Sequence, residues 1–129
     1  MKVVKDKDIV ILKLTADDLL DPYTTTRAVE TLLKINGERK FVADLSLVDS
    51  IYSMQIGTLV AIHCMCYENL AVMKLAGASE KVKALLRVVG LETLMEMHHG
   101  TAIAKQSFGA SPSAAKKRTT KISDPRLRG

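Results

Sequence analysis

The sequence predicts a single α/β domain, a small mixed sheet of four or five strands with helices mainly on one face. Three observations carry this. Ile9 to Leu12, Phe41 to Leu45 and Leu70 to Leu75 are short apolar runs of strand length and strand composition. Longer segments between and after them repeat apolar residues at three- and four-residue spacing, as an amphipathic helix does. From residue 40 to residue 75 the order is strand, helix, strand. That is a βαβ unit, for which parallel strands and a right-handed crossover are strongly preferred.

Taken in order, Val3-Val4, the polar Lys5 to Asp8 and Ile9 to Leu14 read as a short strand, a turn and a longer strand. This hairpin belongs at one side of the sheet, and the unbroken run Ile9 to Leu12 predicts a strand covered on both faces. Thr15 to Leu20 is expected as a loop. Asp21-Pro22 starts a helix, with an acidic cap and a proline in the first turn, and Thr24 to Thr26 offers a later start. Ala28, Val29, Leu32, Leu33 and Ile35 form its apolar stripe, and Asn36-Gly37 ends it. Lys40 to Leu45 is the next strand and Ser46 to Tyr52 the loop that leaves it. A second long helix follows from Ser53 to Glu68-Asn69, with Ser53 as cap and Ile56, Leu59, Val60, His63 and Tyr67 along one side. Gly57 would let that helix approach a neighbour closely. Leu70 to Leu75 is a further strand stopped by Ala76-Gly77. Ser79 caps a third long helix, with Val82, Leu85, Leu86 and Val89 on one face and Gly90 as its stop. Leu91, Leu94 and Met95 fit a helical turn, followed by a weakly patterned segment to about Lys105. The domain is expected over residues 1–106. Residues 107–129 turn to Gly, Ser, Pro, Ala and base, the composition of a disordered tail.

A chain of 129 residues can bury roughly two thirds of the surface its unfolded form exposes, so it needs no staples. Cys64 and Cys66 stand one residue apart, too close for an ordinary structural disulfide, which favours a reducing, cytoplasmic setting. No apolar run is long enough for a membrane span, and Lys2 to Asp8 is too charged for a signal peptide. Residues 112–129 hold six basic side chains against Asp124 alone, which accounts for the whole net charge of +5. The body is neutral. The basic tail could touch nucleic acid only weakly, since no aromatic is interleaved for base stacking.

Catalysis has little support. No Gly-x-Ser-x-Gly elbow and no glycine-rich phosphate loop is present, and Asp44 and Asp49 read as strand-end and turn residues. No cofactor or metal is expected. His63-Cys64-Met65-Cys66 points in successive directions on a helix, so the cysteines read as buried small apolar residues. His98-His99 reads as a solvated or carbonyl-capping pair near a helix end, and Asp17, Asp18 and Asp21 as a solvated loop without the glycine and glutamate of a calcium site.

The stretch from Asp44 to Gly57 stands where function concentrates in open α/β sheets, at a strand-to-helix turn. Ser53 there is both a helix cap and a candidate phosphoacceptor. Phe41-Val42-Ala43-Asp44-Leu45-Ser46-Leu47-Val48-Asp49-Ser50-Ile51, then Ser53 with Ile56-Gly57-Thr58-Leu59-Val60, Leu70 to Gly77 and Val82 to Leu91 together resemble the STAS domain of the bacterial anti-sigma factor antagonists. The resemblance implies a non-enzymatic regulator of transcription that binds a partner protein, an anti-sigma factor that is commonly also a serine kinase. It implies phosphorylation of a hydroxyl in an Asp-Ser-Ser/Thr-Gly turn. Carried over, the acidic position falls on Tyr52, the first hydroxyl on Ser53, the second on Met54 and the glycine on Gln55, so Ser53 alone remains an acceptor. The partner-binding residues expected on this basis are Asp49, Ser50, Tyr52, Ser53, Met54, Gln55 and Thr58. The alternative is a scaffold subunit that self-associates in a larger signalling assembly.

Overall fold

The structure is a computed structural model and describes residues 1–109. Five strands form one sheet in the order β1 (Lys2–Asp6), β2 (Ile9–Lys13), β3 (Lys40–Asp44), β4 (Val72–Ala76) and β5 (Met97–His98). β1 and β2 are the antiparallel hairpin, with Val3 opposite Leu12; β2 to β5 run parallel, with Val10 beside Phe41 and Phe41 beside Met73. The sheet is thus mixed, as expected, and its fifth strand comes from the segment whose pattern was weakest. Two residues are too few to show an alternation.

Because successive strand residues face opposite ways, each strand serves two layers. Val10, Leu12, Phe41, Ala43, Met73 and Leu75 point into the main core. That core is closed by α1 (Ala16–Leu19), α2 (Pro22–Lys34), α3 (Ser53–Glu68) and α4 (Glu80–Val88), which contribute Leu19, Val29, Leu33, Leu59, Ile62, Val82 and Leu86. Ile9, Ile11, Val42 and Ala76 point the other way, where among the described residues α5 (Thr101–Gly109) covers them through Ala104. The unbroken run in β2 is therefore covered on both faces.

Several local expectations need correction. Thr15 to Leu20 is not a loop. Thr15 and Asp18 form a capping box around the one-turn α1: the Thr15 hydroxyl accepts the Asp18 amide at 3.1 Å and the Asp18 carboxylate accepts the Thr15 amide at 2.9 Å. One turn is too short to display a helical period. Asp21 caps α2 as expected, accepting the Thr24 amide at 3.2 Å, but the buried stripe is Thr25, Val29 and Leu33, while Ala28 and Ile35 face solvent. Ser79 caps α4 as expected, accepting the Val82 amide at 3.2 Å. Only Val82 and Leu86 of its predicted face are buried; Leu85 and Val89 are exposed. The 3-10 turn at Leu91–Thr93 follows Gly90, whose φ of +78° is the left-handed conformation that glycine adopts without a Cβ penalty.

The boundary placed at residue 107 falls inside α5. Ser107 and Phe108 are tied to the sheet by Lys74, a buried lysine on the second face. Its ammonium donates to the Ser107 hydroxyl at 2.7 Å, lies 3.1 Å from Glu96 and stands 4.3 Å from the centre of the Phe108 ring. The rest of the predicted tail, residues 110–129, lies outside the described residues.

Asp18 also accepts the Met1 ammonium at 2.9 Å. Burial pushes its carboxyl up, but the hydrogen bonds from Met1 and Thr15 outweigh this and hold it below its ordinary value of 3.8. A depressed carboxylate contributes stability that is present above its unfolded pKa and lost as pH falls through the folded one. Asp18→Asn is therefore expected to destabilise the protein at neutral pH and to flatten its loss of stability below about pH 4. Urea unfolding monitored by circular dichroism over an acid pH series checks both.

Candidate functional site

Three parallel strands end on one edge. The ladder continues past them, with the Leu14 amide donating to the Asp44 carbonyl at 3.1 Å and the Leu45 amide to the Ala76 carbonyl at 2.8 Å. Asp44 is buried and its carboxylate accepts the Ser46 amide at 3.0 Å, which turns the chain out of β3. Gly77 closes the floor: its φ is +76°, and a Cβ there would sit 3.0 Å from Asp44 Oδ1. Both the conformation and the space demand glycine.

The loop above this floor is anchored from within. Val48 and Ile51 are buried in the main core, and the Val48 amide donates to the Leu45 carbonyl at 3.0 Å. The same backbone displays Leu47 and Tyr52, 61% and 69% exposed, and Met54 at 61% in the first turn of α3. Asp49 is exposed and Ser50 half-buried at the rim. Ser50 accepts a hydrogen bond from the Lys81 ammonium of α4 at 3.1 Å. Leu47 and Lys81 were not among the expected site residues; Leu47 is one of several apolar residues in the Ser46 to Tyr52 loop, which the sequence does not sort into buried and exposed, and Lys81 comes in only through tertiary packing.

Ser53 is not the cap of α3. Tyr52 holds the cap position with extended backbone, and Ser53 is the first helical residue, exposed and without a side-chain hydrogen bond among the described residues. The cap is completed from inside by Gln55, whose carboxamide oxygen accepts the Tyr52 amide at 2.8 Å and whose nitrogen donates to the Ala16 carbonyl at 3.2 Å. Thr58 donates to the Leu19 carbonyl at 2.6 Å. Each of these two side chains is only 2% exposed. Gln55 and Thr58, expected at the contact surface, are instead buried and tie α1 to α3, because their helical positions face inward. Asp49, Ser50, Tyr52, Ser53 and Met54 stay together at the surface.

Further along α3, Ile56, Val60 and His63 are half-buried and Tyr67 exposed, so the buried stripe is Gln55, Thr58, Leu59, Ile62 and Cys66 rather than the one expected. Among the described residues Gly57 meets no neighbour within 4 Å, so the close approach expected there is not made by them. Burial pushes the Cys66 thiol up to about 12, as befits a small core residue. Cys64 is exposed, contrary to expectation. His98 lies in β5, just before the start of α5, with Nε2 2.9 Å from Glu96 Oε1, and His99 is exposed. Among the described residues no group of three His, Cys, Asp or Glu could hold a metal ion. No helix among them is long and apolar enough to cross a membrane.

No family model matches the chain. No curated protein sequence matches it either. Solved structures do. An anti-sigma-factor antagonist (STAS) domain protein from Planctomyces limnophilus superposes with a TM-score of 0.70 at 17% identity, covering 85% of this chain and 97% of that one. A serine-to-glutamate variant of RsbS from Moorella thermoacetica gives 0.72 at 16% identity, again over 85% and 97%. A chain of the stressosome, described as a signal integration and transduction hub, gives 0.69 at 19% identity over 84% of this chain and 96% of its own length. Agreement over nearly the whole of each neighbour extends to the mixed five-stranded sheet with its helices, so this chain has the STAS fold, the fold of the anti-sigma factor antagonists.

Proposed function

We propose that this protein is a non-enzymatic regulatory module that docks a partner protein of the anti-sigma factor or serine-kinase class. The docking surface is the Ser46 to Tyr52 loop with the first turn of α3. The observation that carries the reading is the contrast within one short stretch: Val48, Ile51 and Gln55 fix the backbone from inside, while Leu47, Tyr52 and Met54 are held out in solvent. Large apolar side chains on a pre-ordered backbone lose little entropy on docking and gain by leaving water. Asp49, Ser50 and Lys81 supply a polar rim around them. The exposed thiol of Cys64 suits a reducing compartment, and we place the protein in the cytoplasm.

Ser53 presents an exposed serine hydroxyl at the start of α3, open to modification. A phosphate there would bring about −1.5 to −2 charges to the docking surface, next to helix amides that stabilise it locally. It would oppose docking, because the charge must be desolvated beside Tyr52 and Met54. Met54 has no oxygen where the resemblance calls for a second acceptor, and Gln55 is locked inside where it calls for glycine. The surface is accordingly read as docking first, without a switch at the second position. Capture with the immobilised full chain is expected to recover an anti-sigma factor or kinase. Incubation with that kinase and ATP, followed by phosphate mapping by mass spectrometry, is expected to leave Ser53 largely unmodified; stoichiometric phosphate at Ser53 that releases the partner would overturn the unswitched reading.

A further inference from the structure

The solvent face of α3 does not look like a solvent face. Glu68 is the only charged residue in this 16-residue helix. Met54, Gly57, Ala61 and Cys64 all point outward and are exposed, yet they are as apolar as the residues turned inward. A surface helix ordinarily carries its charges on the outward side. α2 does so with Arg27, Glu30 and Lys34, and α4 with Glu80, Lys81 and Arg87. At Gly57 the helix backbone itself is bare among the described residues, since none of them lies within 4 Å of where a Cβ would stand.

The ends of α3 are also unmatched. Its first turn has no acid and its last turn no base, and Glu68 stands at the carboxyl end, where the helix dipole opposes it. Two copies laid antiparallel remove both mismatches, because each Glu68 then meets the other copy's amino-terminal turn. Ala61 lies midway between Met54 and Glu68, so a two-fold axis beside Ala61 pairs it with itself and brings Met54 against the second copy's Glu68. Gly57, Ala61 and Cys64 leave room for the two backbones to approach. We propose that the outward face of α3 docks the same face of a second copy of this chain, antiparallel, in an isologous dimer.

This does not rest on the partner-docking reading, though the two surfaces share Met54, so a partner and a second copy would compete there. It is tested on the isolated chain without partner, so the two readings can fail separately. Sedimentation velocity of the full chain over a wide concentration range is expected to show a monomer–dimer equilibrium. Ala61→Glu, a good helix former at an exposed position, sets two like charges face to face and is expected to abolish the dimer. Ala84→Glu on the exposed side of α4 is expected to leave it unchanged. Ala61→Cys in a Cys64→Ser background is expected to cross-link to itself on mild oxidation, which holds as a readout even if Ala61→Glu fails to fold. A monomer at every concentration, a dimer undiminished by a folded Ala61→Glu variant, or efficient Cys64–Cys64 linkage in the unsubstituted chain would overturn the proposal.

Discussion

Replacement of Gln55 by alanine is expected to destabilise the protein by about 1–3 kcal/mol, the cost of leaving a part-buried amide unpaired. The amide of Tyr52 would lose its partner, the carbonyl of Ala16 would keep only the Leu20 amide, and alanine leaves a gap where the carboxamide stood. The effect is also local. With α1 released from the start of α3, the Ser46 to Tyr52 loop loses its inner brace and partner capture weakens. Urea unfolding should show a lower midpoint at unchanged slope, since the same surface is exposed on unfolding. A loss below about 0.5 kcal/mol would place Gln55 among ordinary surface positions and remove it as the brace.

Met54→Glu should do the opposite. The side chain is mostly in solvent, so stability is expected to move by less than about 0.5 kcal/mol. The sign should favour folding, because an acid in the first turn of α3 complements a helix end that has none. Binding of the captured partner is expected to fall at least about tenfold, roughly 1.4 kcal/mol, as a charge replaces an apolar contact that must be desolvated. Titration calorimetry with the purified partner measures it. Unchanged affinity would move the docking surface away from the first turn of α3. Neighbouring residues thus have opposite expected signatures: Gln55 acts on folding and Met54 on binding.

Nothing in the sequence separates these two. Met54 and Gln55 are adjacent, and a turn-based resemblance places both on the docking surface. Helical geometry sets them about 100° apart, and that rotation, applied to an N-cap at Tyr52 rather than Ser53, decides which one faces α1. A serine is the residue type that a short window marks as the cap, whereas here the cap is completed by a buried glutamine reaching back to the Tyr52 amide. Thr58 was misplaced for the same reason, its hydroxyl being spent on the Leu19 carbonyl. Cys64 and Cys66 show the same limit, since α3 is apolar all round and its hydrophobic pattern does not say which side faces inward.

What the sequence by itself determined is the order of the elements from β1 to α4, the one-turn α1 excepted, and where the chain turns between them. Strands of β-branched residues, the Asp21-Pro22 start of α2, the Ser79 cap and the glycines at 37, 77 and 90 act through their own backbone and nearest neighbours, so their effect can be read from a short window. The tertiary structure alone decided which residues of the Asp44 to Gly57 stretch are brace and which are surface. It also decided that α5 crosses to the second face of the sheet through Lys74, and which side of the nearly uncharged α3 is exposed among the described residues. Those outcomes depend on hydrogen bonds and packing between residues distant in the chain, such as Gln55 with Ala16 and Lys74 with Ser107, which no local pattern encodes.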